Sequence, residues 1–154
     1  MREYIVIYNV NSRGKNLSKE YLTQLFEKNQ LKSKIFMTRS TSEVENIIEK
    51  YSNDNKYSYC AIGGDGTINS LIDVLLKMGL TKPIVGCLPS GSGSDFLRTF
   101  AIPQDIEKAI KHLKGDTTYL IDTAIVKSSN REKQFVNVLN FGFLADTVEM
   151  SEKL

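Results

Sequence analysis

The stretch Tyr57-Ser58-Tyr59-Cys60-Ala61-Ile62-Gly63-Gly64-Asp65-Gly66-Thr67-Ile68-Asn69 joins two kinds of local order across one glycine-rich turn. Its first six residues are an unbroken β-prone run, which suits a strand covered on both faces, as in a parallel sheet. Beyond the turn, Ile68, Leu71, Ile72, Leu75 and Leu76 recur at helical spacing through about Met78, with Gly79 as a stop signal. Three glycines allow a sharp turn and a close approach of the backbone to a ligand. The helix that follows offers free N–H groups and a partial positive charge, so the loop reads as a phosphate seat. Asp65 is the informative residue. A carboxylate in an anion-binding loop repels phosphate unless a divalent cation lies between them, and magnesium touches carboxylates and phosphates while keeping several waters. The plainer reading of the same residues is a tight turn with Asp65 or Thr67 as helix cap.

The same rhythm extends outward on both sides. Tyr4–Tyr8 (YIVIY) reads as a strand, and Asn9-Val10-Asn11-Ser12-Arg13-Gly14 as the loop after it. A helix from about Ser18 to Asn29 carries Tyr21, Leu22, Leu25 and Phe26 on one stripe, and Lys34–Thr38 is a second strand. Ser42-Glu43-Val44-Glu45 has the form of a capping box opening a helix that ends near Tyr51. Downstream, Pro83–Leu88 holds a fourth strand. It is followed by Pro89-Ser90-Gly91-Ser92-Gly93-Ser94-Asp95, a short helix from Phe96, a break at Pro103 and a helix over Asp105–Leu113. Strands alternating with helices predict an α/β fold with a doubly wound, mostly parallel sheet and helices on both faces. Both glycine-rich loops follow strands and open helices, so both face the crevice where open α/β sheets bind ligands. In the second loop Ser92 offers a hydroxyl to a phosphate oxygen. Asp95 either holds the loop's N–H groups, orients a metal-bound water, or simply caps the helix.

After Gly115 the pattern changes. Thr117–Lys127 reads as one long strand, Ser128-Ser129-Asn130 as a turn, Gln134–Phe141 as another strand, and residues 145–154 as the start of a helix. Residues 1–116 are therefore expected to form the α/β unit, and residues 117–154 the beginning of a β-rich second domain.

Composition bounds the function. Of 154 residues, 41% are apolar and 25% charged, a globular balance. Lys plus Arg is 20 against 18 Asp plus Glu, a net charge of +2 that gives no push toward nucleic acid. No apolar run approaches the roughly 20 residues of a membrane span, and the N-terminus lacks a signal-peptide pattern. Two cysteines, Cys60 and Cys87, are too few for a disulfide scaffold and wrongly spaced for zinc; they read as core residues in a cytoplasmic protein. The glycine loops lack the third glycine of the dinucleotide fingerprint, and Gly14-Lys15 is no P-loop. The only histidine, His112, lies on a lysine-rich helix, which disfavours a histidine-dependent hydrolase.

Gly63-Gly64-Asp65-Gly66-Thr67-Ile68-Asn69, followed by Leu88-Pro89-Ser90-Gly91-Ser92-Gly93-Ser94-Asp95-Phe96-Leu97-Arg98, resembles the catalytic domain of the diacylglycerol kinase-like lipid kinases, a family that includes sphingosine and ceramide kinases. Asn9-Val10-Asn11-Ser12 resembles that family's first loop, Leu120-Ile121-Asp122 the strand entering its second domain, and Asn137–Asp146 a later glycine-containing stretch. The resemblance implies ATP- and magnesium-dependent phosphorylation of a lipid hydroxyl at a membrane surface, by an enzyme peripheral to the inner face. It implies that ATP contacts Asn9, Val10, Asn11, Ser12, Arg13, Thr38, Gly63, Gly64, Asp65, Gly66, Thr67, Asn69 and Ser92. It implies catalytic roles for Asp65, Asp95 and Asp122, with Asp65 reaching magnesium through water. Catalysis would rest on positioning and charge neutralisation of the γ-phosphoryl group. The chain departs from the pattern at Ser70, where the family has Glu, at Ser94 for Asn, at Val10 for Pro and at Arg13 for Gly. Family members are about twice as long, roughly two domains, with a β-sandwich that supplies the general base; 117–154 is expected to be its truncated opening and this stretch to be inactive alone.

Two alternatives stand beside this reading. One is an NAD kinase-like enzyme, since GGDG is shared with that group. The other is a nucleotide-binding or assembly module without catalysis. The apolar residues of the 117–141 hairpin, without the rest of a sandwich over them, also predict self-association into a homo-oligomer.

Overall fold

The computed structural model describes residues 2–12, 14–54, 56–90 and 94–136. In its first strand, β1 (Glu3–Asn9), every residue from Tyr4 to Tyr8 is buried, and alternate side chains leave on opposite sides. Tyr4, Val6 and Tyr8 pack with Leu22, Leu25 and Phe26 of helix α1 (Lys19–Lys28). Ile5 and Ile7 pack on the other side with Val44 and Ile48 of α2 (Thr41–Tyr51) and with Ile68, Leu71 and Leu75 of α3 (Asp65–Lys77). This two-sided burial is why the run reads as continuous rather than alternating. The Tyr4 hydroxyl donates to the Leu113 carbonyl at 2.8 Å, and that of Tyr8 donates to the Lys15 carbonyl at 2.9 Å and accepts from the Leu17 N–H at 3.1 Å. The two largest side chains of the strand thus bury their rings without stranding a polar atom.

Strands β2 (Lys32–Thr38), β3 (Tyr57–Gly63) and β4 (Val85–Pro89) complete a parallel sheet in the order β2-β1-β3-β4. The expected doubly wound α/β architecture is present. From β1 the chain winds to β2 on one side, then returns across to β3 and on to β4. The switch point therefore lies between the C-terminal ends of β1 and β3, where Tyr8 pairs with Ile62.

Helix ends carry their own signals. Ser18 caps α1, accepting from the Tyr21 N–H at 3.1 Å. Helix α3 ends at Gly79 (φ 72°), with the Leu80 N–H bonded to the Leu75 carbonyl and the Gly79 N–H to the Leu76 carbonyl, both at 2.9 Å. The capping box of α2 sits two residues earlier than expected. Ser40, not Ser42, accepts from the Glu43 N–H at 3.3 Å, and the Glu43 carboxylate accepts from the Arg39 N–H at 2.9 Å. The end of β2 at Thr38 decides between the two serines, because the helix starts as soon as the strand releases the chain.

After β4 come α4 (Asp95–Thr99) and α5 (Ile106–Ala109), and α5 runs on as a 3-10 turn over Ile110–Lys114. The single helix expected over Asp105–Leu113 is thus divided, its second half tightened as helix ends often are. Beyond Gly115, residues 117–123 form no strand; the long strand expected over Thr117–Lys127 shrinks to β5 (Ala124–Ser128). It pairs antiparallel with β6 (Arg131–Phe135) across Ser129-Asn130. Extended residues become a strand only where a ladder partner exists, and 117–123 find none among the described residues. The strand expected to run on to Phe141 and the helix expected over 145–154 lie outside the described residues, apart from the segment up to Val136. No helix among the described residues is long and apolar enough to cross a membrane.

Cys60 and Cys87 are buried free thiols, as expected of core residues. They belong to clusters on opposite faces of the sheet, which keeps them from pairing.

Candidate functional site

The parallel strands deliver their following loops to one edge of the sheet. Asn9 ends β1, Thr38 ends β2, Gly63 ends β3 and Pro89 ends β4. Three of these loops enclose a cleft of about 140 Å³. Its floor is Ile7, Val44 and Leu71, and its polar wall holds Asn9, Thr38, Arg39, Thr41, Thr67 and Ser70. Thr38 is fixed by donating its hydroxyl to the Tyr8 carbonyl at 3.3 Å. Asn9 accepts the Asn11 N–H at 3.0 Å in an Asx turn, and the Asn11 amide donates to the Arg39 carbonyl at 3.2 Å. Among the described residues the cleft wall carries one cation, Arg39, and no carboxylate or histidine.

The Gly63–Gly66 turn explains its glycines unequally. A methyl at Gly63 would stand 2.5 Å from Thr67 Cβ, so the chain itself requires that glycine. At Gly64 and Gly66 a methyl would meet nothing within 4 Å. Gly64 has φ −97° and ψ −170°, extended backbone open to any residue, so neither steric crowding nor a left-handed turn accounts for it. What those two glycines leave bare is the N-terminus of α3, which no side chain among the described residues caps. The Thr67 and Ile68 N–H groups donate to the Gly64 carbonyl, and those of Asp65 and Gly66 have no hydrogen-bond partner among the described residues. Two such N–H groups at the start of a thirteen-residue helix, beneath a methyl-free surface, are the features of an anion seat.

Asp65 does not project into that seat alone. Its Oδ1 accepts from Ser94 Oγ at 2.6 Å and from the Phe96 N–H at 3.1 Å, and its Oδ2 accepts from the Asp95 N–H at 3.1 Å. The carboxylate of the first glycine loop therefore caps the helix of the second. Ser94 completes the joint by accepting from the Leu97 N–H at 3.2 Å. Of roughly four acceptor positions on a carboxylate, the described residues leave one, on Oδ2, unfilled. The loop after β1 is tied to the second glycine loop as well: Ser12 and Ser90 hydroxyls lie 3.2 Å apart, and the Lys15 N–H donates to the Ser90 carbonyl at 2.6 Å. Gly14 permits that approach, since a methyl there would lie 2.6 Å from the Ser90 oxygen.

The structure thus brings Asn9, Thr38 and Thr67 to one cleft, while Gly63, Gly64, Asp65 and Gly66 form the turn leading into Thr67 and are not part of its lining. Val10 instead packs against the core beside α1, donating its N–H to the Thr38 carbonyl at 3.0 Å. Asn69 faces the β5–β6 hairpin, its Oδ1 accepting from the Val136 N–H at 3.1 Å. The Asp95 side chain is 71% exposed and pairs with Arg98 at 2.8 Å. Asp122 lies exposed in the stretch before β5, and no hydrogen bond among the described residues ties it to the loops. Arg13, Gly91, Ser92 and Gly93 lie outside the described residues. Arg39, Ser40 and Thr41 went unnoticed in the sequence, although the loop after β2 ends at the same sheet edge as the glycine loops.

A magnesium ion held by protein groups alone finds no cluster of three ligating side chains among the described residues. The acceptor position on Asp65 that no described residue fills suits a cation reached through water rather than one held by protein groups alone.

The sequence pattern of the diacylglycerol kinase catalytic domain matches residues 3–126. The chain is 30% identical, over 99% of its length, to a protein of Enterobacter sp. (strain 638) named "Probable lipid kinase YegS-like", of which it covers 50%. It is 30% identical, over 92% of its length, to "Probable lipid kinase YegS" of Escherichia fergusonii, covering 48%. The chain thus spans about half the length of the curated relatives it matches. The fold is also that of a diacylglycerol kinase crystal structure from Bacillus anthracis str. Sterne, with a TM-score of 0.66, 18% identity, and coverage of 97% of this chain and 52% of that one. With the catalytic-domain pattern running from the first strand into the hairpin, the chain belongs to the diacylglycerol kinase catalytic domain family.

Proposed function

We propose that this chain is the ATP-binding part of a lipid kinase that transfers the γ-phosphoryl group of ATP to a diacylglycerol-like lipid hydroxyl. The observation that carries the reading is the bare N-terminus of α3 under Gly64 and Gly66, at the switch point of the sheet and beside the polar cleft. In this reading Asn9, Thr38, Thr67 and Arg39, which share the cleft wall, hold the nucleotide. Asp65 holds the second loop in position and offers its free acceptor to a water on the magnesium that neutralises the phosphates when bound. Among the described residues the cleft lining holds no carboxylate or histidine, and in this reading the group that receives the hydroxyl proton belongs to the second domain. Residues 117–136, with their separate hairpin, are the opening of the second domain in this reading. Family membership favours a lipid kinase over an NAD kinase-like enzyme.

The glycines supply the test. Gly66→Ala adds a methyl that touches nothing in the protein and favours the helix by about 1 kcal/mol. It should leave the melting temperature unchanged or raise it, yet lower the affinity for magnesium-ATP, read by calorimetry, by about tenfold or more. Unchanged ATP affinity in a stable Gly66→Ala protein, or no ATP binding by the wild type, would sink the phosphate-seat reading.

A further inference from the structure

Asn69 and Asp73 lie one helical turn apart on α3, on a different side from the cleft-lining Thr67, Ser70 and Leu71. Both side chains reach β6. Asn69 Oδ1 accepts from the Val136 N–H at 3.1 Å, and its amide donates to the Gln134 carbonyl at 3.5 Å. Asp73 Oδ1 accepts from the Gln134 N–H at 3.0 Å, while its Oδ2 is held by Lys77 at 2.8 Å. The spacings match: four residues of helix rise about 6 Å, and two residues of strand about 6.6 Å. Running antiparallel to β6, the helix thus presents side-chain acceptors in the register of a strand edge. Gln134 pairs with Ile125 of β5, and its outward N–H and carbonyl would otherwise be open to any passing strand. Asp73 is 4% exposed, a carboxylate buried on the outside of a nucleotide helix with no part in the cleft. Burial of a charge is costly unless it is bonded, and the hairpin amide and Lys77 are the partners that offset the cost.

We propose that Asn69 and Asp73 are positioning residues that fasten the second β-unit to the phosphate-loop helix, and that Asn69 is not a nucleotide contact. The proposal rests on the reading of α3 as the phosphate-binding helix. One rigid helix then carries the phosphate seat at its start and the hairpin two turns on. Any group that the second unit brings to the γ-phosphate has its distance set by this joint.

The test measures amide hydrogen exchange at Gln134 and Val136 by NMR, together with magnesium-ATP affinity, in the full chain. In the wild type both amides should be protected. Asn69→Ala should speed exchange at Val136, and Asp73→Ala at Gln134, by about tenfold. Asp73→Asn keeps an acceptor oxygen and should retain the protection at Gln134, a rescue that a general loss of packing would not show. ATP affinity should stay within about twofold in Asn69→Ala, whereas Gly66→Ala lowers it. Free-amide exchange rates in the wild type, or a fall in ATP affinity in Asn69→Ala equal to that in Gly66→Ala, would overturn the proposal. Failure of every variant and the wild type to bind ATP would overturn the nucleotide reading instead, and the exchange rates would still judge the joint.

Discussion

At Gly63 a side chain is excluded by the protein itself, while at Gly66 the protein leaves the space empty. The two glycines therefore separate stability from binding. Gly63→Ala drives a methyl into Thr67, whose Cβ is anchored in α3 and cannot swing away, so it should destabilise by about 1–3 kcal/mol in denaturant unfolding. A Gly63→Ala protein as stable as the wild type would show that the turn can relax. The cysteines give a prediction of the same grain. Burial pushes the Cys87 thiol from 9.0 up to about 12, and Cys60 in the same direction. The folded chain keeps these protons at pH values where the unfolded chain loses them. The stability they contribute is therefore complete below about pH 9 and declines as pH rises toward 12. Melting temperatures measured from about pH 8 to about pH 11 should fall, and less steeply in Cys87→Ala; equal slopes in both proteins would remove burial of that thiol as a cause.

Among the elements, α4 shows how a short helix is held by residues distant in sequence. Five residues cannot sustain a helix by themselves, and the N-terminus of α4 is secured by Ser94 and by Asp65 from the preceding glycine loop. Ser94→Ala removes both the cap and the link to Asp65 and should cost about 1–2 kcal/mol in thermal or denaturant unfolding. Asp65→Asn replaces one carboxylate acceptor with a donor facing the Asp95 N–H and should also destabilise. If either protein unfolds with the wild type, the two loops are not joined as described. Neither bond was legible in the sequence, where Asp65 read as a phosphate-side carboxylate and Ser94 as a departure from a family pattern. Periodicity exposes which face of an element is buried, so β1, α1, β3 and α3 could be read from their apolar residues alone. It carries no record of which loop reaches which across 29 residues, as Asp65 and Ser94 do. The capping box of α2 failed for a related reason: two serines each stand three residues before a glutamate, and only the end of the preceding strand selects Ser40.

For the whole molecule, the sheet order turns a list of loops into a site. The two glycine loops could be placed at one edge from the alternation of strands and helices, but Arg39 joins Asn9 and Thr67 only because β2 pairs with β1 in parallel and ends beside it. The same overall view locates an unprotected apolar surface among the described residues. Tyr119, Leu120, Ile121 and Ile125 are 73%, 105%, 38% and 49% exposed, whereas Val136 of the same region packs against the core. Among the described residues β5 pairs only with β6, so its outer edge is open, while the outer edge of β6 is occupied by α3. An open edge beside exposed aliphatic side chains is a surface that tends to pair with a second copy. The chain should therefore associate with itself in a concentration-dependent way, seen by sedimentation at roughly micromolar to millimolar protein. Ile125→Lys places a charge on that edge without entering either core cluster, and should shift the distribution toward monomer with an unchanged melting temperature. A wild-type chain that sediments as a monomer throughout, or an Ile125→Lys protein that associates as the wild type does, would show that the hairpin edge is not the contact.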